Sequence, residues 1–221
     1  MTREAREPAT ARVGGLHVLA DDDPRWPHGP LVQARAACAA GAAVVQLRAK
    51  RATDREALDL AAKIRAATRA AGALFFVNDR FDLALVAGAD GVHLGQSDLP
   101  PAAIPNGLRE RLLVGRSTHT TAEVRAAREE GLAYVAFGPV FGTRSKDSPH
   151  AARGLDLLRE AAALAAPLPL VAIGGIDARN TAAVLAAGAS GIAVISALAA
   201  APDPEAAARA LVQALAGAAR R

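Results

Sequence analysis

The sequence predicts an α/β fold in which a single (β/α)8 barrel of parallel strands, a TIM barrel, makes up the domain. The chain has 221 residues, a length at which α/β barrels commonly form one domain. Short β-branched apolar runs alternate with alanine-rich amphipathic stretches, as expected for parallel strands covered by helices on both faces. The alternation repeats evenly, and no G-x-G-x-x-G motif follows the first strand. A closed barrel is therefore favoured over an open Rossmann-type sheet.

The predicted strands are short segments rich in valine, isoleucine, leucine and phenylalanine. They span residues 16–20, 43–48, 74–78, 91–95, 112–118, 134–140, 168–175 and 191–198. The segments AGADGVHL and AGASGIAV show how such strands begin, because in each a helix ends at a glycine directly before an apolar run. Eight strands of this kind are the number that closes the barrel.

The predicted helices fill the connections between the strands. They span residues 30–40, 53–71, 80–87, 121–130, 154–165, 177–187 and 203–218. The connection after the fourth strand, QSDLPPAAIPNGLRER, is interrupted by prolines and is predicted to hold only a short helix. Residues 1–14 are charged and lack the apolar segment of a signal peptide, so they are predicted to be a disordered lead before a catalytic domain at residues 15–218.

The composition narrows the classes of partner. Hydrophobic residues make up 52% of the chain and charged residues 22%, which is typical of a globular protein. The net charge is +4, but aromatic residues are only 3% and the basic residues are scattered, which argues against nucleic acid. Phosphorylated small molecules suit this charge. No apolar run predicts a membrane span, and the lone Cys38, interpreted as a small buried hydrophobe, fits a cytoplasmic protein.

Polar residues cluster where the predicted strands end, the edge of a (β/α)8 barrel that carries function. The second strand ends in QLRAK, so Gln46, Arg48 and Lys50 alternate with apolar residues and are predicted to share one face. An amide and two cations in one place suit an anion with more than one charge. The alternative is an ordinary set of solvated surface side chains.

Two aspartates follow the ends of the third and fourth strands. Asp79 lies in NDR and Asp98 in GQSDL, and neighbouring parallel strands bring such groups together. Two carboxylates combined with substrate phosphate oxygens are a usual way to hold Mg²⁺, which the sequence predicts as the cofactor. The alternatives are a helix N-cap for Asp79, with the helix beginning at Arg80, and a turn residue before Pro100 for Asp98.

The last two strands and the loop after the sixth predict a second anion site. Gly174 and Gly175 follow the seventh strand, and the eighth strand leads into another helix, an arrangement that binds phosphate in many barrels. The loop FGPVFGTRSKDSPH contributes Thr143 and Ser145, whose hydroxyl groups can bind the same phosphate. Lys146 is predicted to reach a second anion nearer the second and third strands, so the loop bridges two phosphorylated reactants.

These motifs together resemble the thiamine phosphate synthase family. VVQLRAK, FFVNDRFDLALVAGADGVHLGQSDL, VGRSTH, YVAFGPVFGTRSK, VAIGGI and GIAVISAL occur in the family's order from about Gly15 to Leu198. The resemblance implies a transferase that condenses 4-amino-2-methyl-5-(diphosphooxymethyl)pyrimidine with a thiazole phosphate. The products would be thiamine phosphate and pyrophosphate, and the reaction would depend on Mg²⁺. It also suggests a homo-oligomer.

The resemblance assigns roles to individual positions. Contacts to the pyrimidine pyrophosphate fall on Gln46, Leu47, Arg48, Ala49, Lys50, Asn78, Ser117 and Lys146. Contacts to the thiazole phosphate fall on Thr143, Arg144, Ser145, Gly175, Ile195 and Ser196. The metal ligands are Asp79 and Asp98, and the groups expected to act in catalysis are Arg48, Lys50, Ser117 and Lys146. Three positions depart from the family's pattern: Ala49, where an acidic residue is common, Gly142, where a proline is common, and Ser145, where a threonine is common and serine keeps the hydroxyl group.

Two alternatives stay open at this point. A thiazole tautomerase-like isomerase is similar at GRSTHT and GGI, but it has no pyrophosphate to hold and does not need paired metal ligands. A non-catalytic ligand-binding barrel would need an incomplete set of chemical groups. His93 and His119 do not separate these alternatives and are interpreted as hydrogen-bonded histidines of the pocket wall.

Overall fold

The computed structural model describes residues 12–143, 145, 151–218 and 220. Within these residues, parallel strands pair in chain order and the last pairs with the first, so that the sheet closes. The strands are β1 (Gly15–Asp21), β2 (Val44–Arg48), β3 (Leu74–Asn78), β4 (Gly91–Leu94), β5 (Leu113–Thr118), β6 (Tyr134–Phe137), β7 (Leu170–Ile173) and β8 (Gly191–Val194). The predicted (β/α)8 barrel is confirmed.

Helices follow the strands and cover the outside of the barrel. They are α1 (Pro30–Ala40), α2 (Asp54–Ala71), α3 (Phe81–Val86), α4 (Asn106–Arg109), α5 (Thr121–Ala127), α6 (Gly154–Ala165), α7 (Thr181–Ala186), α8 (Ser196–Ala199) and α9 (Pro204–Ala218). The start of α2 shows the local cause, because Thr53 and Glu56 form a reciprocal capping box that satisfies free N–H groups there. The proline-rich connection after β4 holds the short α4, as predicted, preceded by a 3-10 turn at Pro101–Ala103.

The last three strands are shorter than the sequence predicts. β6 ends at Phe137 and β7 at Ile173, in each case directly before a glycine. β8 ends at Val194, and the following residues Ser196–Ala199 form α8 instead of continuing the strand. An apolar run has the same composition in a buried strand and in a buried helical turn, so it does not locate this boundary.

The alternation of side chains along the strands separates two cores. One core lies between the strands and the helices. The other fills the barrel interior and includes Leu19, Val44, Phe76, Tyr134 and Ala193, all of them buried. Because alternate residues of a strand point to opposite faces, one strand can contribute to both cores, as Val44 and Val45 of β2 do. The interior core supports the residues at the carboxyl ends of the strands from below.

Two glycines make room for aromatic rings in this interior. A Cβ atom on Gly91 would lie 2.5 Å from the Phe76 ring, and one on Gly115 would lie 2.3 Å from the Tyr134 ring. His17 packs edge-on against Tyr134 with 5.1 Å between ring centroids, and its Nε2 donates to the Val13 carbonyl at 2.7 Å. Burial lowers the pKa of His17 to about 4, so this imidazole is neutral at pH 7.

The start of the described chain is part of the packed structure. Val13 is fully buried against the interior core, and Arg12 donates to the carbonyl of Gly72 at 2.5 Å. The predicted disordered lead ran to residue 14, so its last three residues differ from that prediction. Residues 1–11 lie outside the described residues. Among the helices of the described chain, none has the length and apolar character needed to cross a membrane.

Candidate active site

The carboxyl end of β2 presents a cation held by a buried carboxylate. Asp21, the last residue of β1, lies beside Arg48, the last residue of β2, and its Oδ1 accepts from the Arg48 Nη1 at 2.8 Å. The Asp21 side chain is fully buried, whereas 17% of the Arg48 side chain is exposed. Trp26 donates from Nε1 to the other oxygen of Asp21 at 2.9 Å. The Arg48 guanidinium is therefore fixed at the barrel mouth with further N–H groups to offer.

Gln46 lies two residues below Arg48 on the same strand. Its side chain is buried, and its Oε1 has no hydrogen-bond partner among the described residues. A buried acceptor without a donor costs about 1–3 kcal/mol, which a bound molecule with an N–H group would recover. Leu47, between them, points to the helix-side core and is fully buried.

Lys50 lies beyond the strand rather than on it. β2 ends at Arg48, and Lys50 occupies a bend in the following loop. The predicted common face therefore holds for Gln46 and Arg48, while Lys50 reaches the mouth from the loop. Its Nζ forms an ion pair with Asp79 Oδ2. Asp22 fixes this loop, because its carboxylate accepts from the backbone N–H groups of residues 50, 51 and 52 at 2.8–2.9 Å.

Asp79 stands at a strained point of the backbone. It is the non-glycine residue with positive φ, +66°, in the described part of the chain. The Arg80 N–H donates to the Asn78 carbonyl at 2.8 Å, which closes a tight turn around Asp79. Strain of this kind concentrates at functional sites. The helix N-cap alternative is not observed, because α3 begins at Phe81 with Arg80 at its N-cap.

The two predicted metal ligands come together. Burial raises the pKa of the Asp79 carboxyl, the Lys50 ammonium opposes this rise, and the neighbouring Asp98 carboxyl adds to it. Asp98 also has the turn role offered as its alternative, since its Oδ2 accepts from the Gly95 N–H at 2.6 Å. With Lys50 and Asn78 they line a cavity of about 300 Å³, which Leu47 and Ala49 also border. The described residues contain no cluster of three or more histidine, cysteine or acidic side chains able to hold a metal.

A hydrogen-bonded chain runs up the barrel interior to the mouth. The buried Tyr134 hydroxyl lies 2.9 Å from Nδ1 of His93, and Nε2 of His93 lies 2.8 Å from the Ser117 Oγ. His119 donates from Nδ1 to the Gly138 carbonyl at 2.7 Å. Both histidines thus have the hydrogen bonds expected of pocket-wall residues, and His93 holds the Ser117 hydroxyl in place.

A second cavity lies across the mouth, at the ends of β6, β7 and β8. Its volume is about 80 Å³, and Ser117 and His119 are on its wall. Of the six positions predicted to contact the thiazole phosphate, five line it: Thr143, Ser145, Gly175, Ile195 and Ser196. The sixth, Arg144, and the predicted bridging cation Lys146 lie outside the described residues.

Glycines allow the backbones around this cavity to approach each other closely. A Cβ on Gly138 would lie 2.1 Å from the Ile173 carbonyl oxygen, and one on Gly175 would lie 2.6 Å from that of Gly142. Beyond β6, Val140 and Phe141 donate their N–H groups to the carbonyls of Ile173 and Gly174 at 2.8 and 2.9 Å. The first residues of the loop after β6 are thereby fixed against the glycine turn after β7.

Comparison with known proteins identifies the family of the chain. Residues 16–198 match the family model described as thiamine monophosphate synthase. The chain belongs to the thiamine monophosphate synthase family. It is 49% identical over 198 residues to the thiamine-phosphate synthase of Anaeromyxobacter dehalogenans, an alignment that covers 90% of this chain and 86% of that protein. It is 52% identical over 178 residues to that of Methanoculleus marisnigri, covering 80% and 84%. The family and the enzyme class predicted from the sequence are confirmed.

A solved structure extends the agreement to three dimensions. The thiamine phosphate pyrophosphorylase of Pyrococcus furiosus superposes with a TM-score of 0.85 at 34% identity, covering 96% of this chain and 99% of that one. A 3-hexulose-6-phosphate synthase superposes with a TM-score of 0.65 at 20% identity, and this likeness concerns the fold alone.

Sequence reasoning missed Asp21, Asp22 and Trp26, although a signal was present. The run DDD directly follows the first strand, so the strand-end rule that selected Asp79 and Asp98 applied to it equally. What the sequence does not contain is the direction of each carboxylate. One accepts from a guanidinium, one from a loop backbone, and Asp23 from the exposed Arg25.

Proposed function

We propose that the protein joins 4-amino-2-methyl-5-(diphosphooxymethyl)pyrimidine to a thiazole phosphate and releases pyrophosphate, giving thiamine phosphate. The observation that carries this proposal is the second cavity, where five residues from three separate loops and strand ends converge as the resemblance implied. The charged side chains across the mouth supply the place for the second, more highly charged reactant. The separation of the two groups suits two phosphorylated substrates.

The pyrimidine pyrophosphate is assigned to the half of the mouth formed by β2 and β3. Arg48 and Lys50 face its diphosphate, with Lys146 from the loop as a third predicted cation. The unpaired Gln46 Oε1 is a suitable acceptor for the 4-amino group, and Asn78 is the last residue of the neighbouring strand β3. Ser117, held by His93, completes the proposed contacts.

Mg²⁺ fits the residues that would hold it. Asp79 and Asp98 are two neighbouring carboxylates whose mutual repulsion a divalent cation would relieve, and hard oxygen ligands suit this ion. When bound, Mg²⁺ would neutralise charge on the diphosphate. Lys50 already shows that a cation is stable beside Asp79. The remaining ligands would come from substrate and water, in keeping with a site that has only two protein carboxylates.

The thiazole phosphate is assigned to the cavity between β6 and β8. The hydroxyl groups of Thr143, Ser145 and Ser196 and the backbone at Gly175 are the proposed phosphate contacts, with Arg144 added from the loop. Ile195 supplies an apolar wall for the ring. This cavity borders Ser117, which supports the proposal that the two substrates bind next to each other.

The proposed chemistry breaks one bond and forms another. The pyrimidine methylene–oxygen bond breaks first, and its electron pair leaves with pyrophosphate. The thiazole nitrogen then donates its lone pair to the resulting pyrimidine-methyl cation to form the carbon–nitrogen bond. Arg48 and Lys50 stabilise the charge that develops on the leaving group in a half-buried setting, where fixed cations act strongly. No covalent bond to the protein forms in this sequence.

A coupled assay tests the proposal. Purified protein, both substrates and Mg²⁺ are combined, pyrophosphate and thiamine phosphate are followed together, and EDTA provides the metal-free control. We expect both products in equal amounts and their loss with EDTA. Turnover of a carboxylated thiazole phosphate without any pyrimidine substrate would instead identify a tautomerase. A cytoplasmic location and a homo-oligomer remain predictions from the sequence.

A further inference from the structure

We propose that Asp21 and Asp22, two consecutive residues at the end of β1, position the two cations that hold the diphosphate. Asp21 orients the Arg48 side chain, and Asp22 fixes the loop that carries Lys50. Neither aspartate is among the residues that the family resemblance assigned. This inference rests on the proposed function of Arg48 and Lys50.

Asp21 is built into the structure more firmly than an ion pair with Arg48 requires. Its N–H donates to the Gln33 Oε1 and its carbonyl accepts from the Gln33 Nε2, both at 3.0 Å. Gln33 is fully buried on α1 and also donates to the carbonyl of His28 at 2.6 Å. One helix side chain therefore locks the backbone of Asp21 to the loop that follows it.

The carboxylate of Asp21 is fixed from a second direction. Trp26 packs against the interior core and directs its indole N–H to Oδ2, which leaves Oδ1 for Arg48. Both oxygens are thus committed. A guanidinium has five N–H donors, and one of them suffices for Asp21. The others are preorganised at the mouth, where an anion gains from fixed donors without paying to reorder them.

Asp22 acts on the backbone instead of on a side chain. Its Oδ1 accepts from Lys50 N, and its Oδ2 accepts from both Arg51 N and Ala52 N. Three consecutive N–H groups on one carboxylate define the path of the loop between β2 and α2. Lys50 follows this path to Asp79 with a long side chain that is half exposed, so its reach depends on where its Cα is held.

Asp23 provides a matched control in the same run. Its carboxylate accepts from the side chain and the backbone of its neighbour Arg25, which lowers the pKa of Asp23 to about 2. Arg51 is 4.0 Å away, and the contact with Arg25 lies at the exposed surface. The same change at positions 21, 22 and 23 therefore separates positioning from the general loss of a negative charge.

The first measurement is the affinity for inorganic pyrophosphate with Mg²⁺, by isothermal titration calorimetry on Asp21→Asn, Asp22→Asn and Asp23→Asn. Removing a negative charge would by itself strengthen the binding of an anion. At positions 21 and 22, however, both carboxylate oxygens now accept hydrogen bonds. An asparagine has an NH₂ group in place of one of these oxygens, so it would face one of the present donors with a second donor. We expect on the order of tenfold weaker binding for these two variants and no weakening for Asp23→Asn.

The second measurement is the kinetic coupling between Asp21 and Arg48. Asp21→Asn is expected to lower kcat by about 10- to 100-fold with little change in the KM of the thiazole phosphate, which binds across the mouth. In an Arg48→Met background the same change should have an effect of less than about threefold, because no cation is left at position 48 for Asp21 to orient. Additive losses would overturn the role of Asp21.

The outcomes are separable. Suppose that wild type and Asp23→Asn make thiamine phosphate. If Asp21→Asn and Asp22→Asn then match them in pyrophosphate affinity and in kcat, only the positioning proposal is wrong. If wild type makes no thiamine phosphate, the proposed function fails, while the pyrophosphate titration still decides the positioning proposal. Should Asp21→Asn not fold, Trp26→Phe removes the indole donor to Oδ2 while it keeps an aromatic ring against the interior core. A smaller loss of pyrophosphate affinity is then expected, and unchanged affinity would contradict the proposal.

Discussion

The two halves of the barrel mouth are built by different means. At the ends of β1 to β4, charged side chains define the site through ion pairs, with Arg48 on Asp21 and Lys50 on Asp79. At the ends of β6 to β8, glycines define it by letting backbone segments approach, as at Gly138 and Gly175. We therefore expect the first half to lose function when a charge is removed, and the second half when an atom is added.

This difference also separates what each half offers a ligand. Side-chain charges suit a highly charged diphosphate, because cationic side chains offer it both positive charge and several N–H donors. Backbone groups and hydroxyls around a glycine turn suit one compact phosphate in a fixed place. Substitutions that affect one substrate without the other would therefore support the division, and substitutions that affect both equally would argue against it.

The largest effect is expected in the charged half. Asp98→Asn removes the proposed metal ligand's charge while its amide oxygen can still accept from the Gly95 N–H, so the turn is kept. We expect kcat to fall by about 100-fold, or ~3 kcal/mol in the barrier, measured as the initial rate of pyrophosphate release. The melting temperature should change little.

Asp59→Asn is the control for this variant, because Asp59 is an exposed residue of α2. Its rate should match the wild type. An Asp98→Asn enzyme within about twofold of wild type would show that Asp98 serves only the turn.

A smaller effect is expected in the glycine half. In Gly175→Ala, the new Cβ atom would lie 2.6 Å from the Gly142 carbonyl oxygen, and the residue has φ +65°, which alanine adopts with strain. The loop must shift, so we expect the KM of the thiazole phosphate to rise about tenfold, with much less change in that of the pyrimidine pyrophosphate.

Gly142→Ala is the matched control in the loop after β6 that Gly175 approaches, since a Cβ atom on Gly142 meets nothing within 4 Å. Steady-state kinetics with each substrate varied in turn distinguish the two variants. Equal KM values in the two variants would contradict the close-approach explanation.

The smallest effect is expected in the interior core of the barrel, which lies below both halves of the mouth. The pKa of His17 is about 4 in the folded protein and about 6.5 when unfolded, so the unfolded chain takes up the proton first as the pH falls. This contribution to stability is present above about pH 6.5 and is lost as the pH falls towards 4. Between pH 7 and pH 5.5 we expect a loss of about 1 kcal/mol in the free energy of unfolding.

Urea unfolding at the two pH values measures this effect. His17→Gln does not titrate there and retains an N–H group for the Val13 carbonyl, so its pH dependence should be weaker. An identical loss of stability in the two proteins would mean that other groups account for it.

The sequence was sufficient for those features that follow from strand order. Asp79 and Asp98 were predicted to meet because adjacent parallel strands end at the same edge, and they do. Lys50 was placed on the strand by its spacing, whereas β2 ends two residues earlier, because Asp22 draws the following loop away from the sheet. The direction of that carboxylate depends on tertiary contacts that no local pattern contains.

Glycine roles were the least accessible to sequence reasoning. Gly174 and Gly175 were selected as a phosphate turn, but the close approach of Gly138 to Ile173 depends on two segments distant in sequence. The same is true of Gly115, whose absent side chain matters only because Tyr134 fills the space. The absence of a Cβ atom gives no periodic signal in the sequence. The reason for a glycine is therefore evident only when the residues that pack against it are known.

The ring of Tyr134 packs where Gly115 leaves room, and it lies against Phe76 and His17. Together these rings fill the barrel interior below the mouth, so that the barrel is not an open channel. A ligand that enters at the mouth therefore has to leave through the same opening. The two proposed substrates and the two proposed products then use one opening, so the order in which they bind and leave is constrained. Under the proposed function, a pyrimidine substrate bound near Gln46 would have to bind before the thiazole phosphate covers it, and thiamine phosphate would have to leave before the next cycle starts.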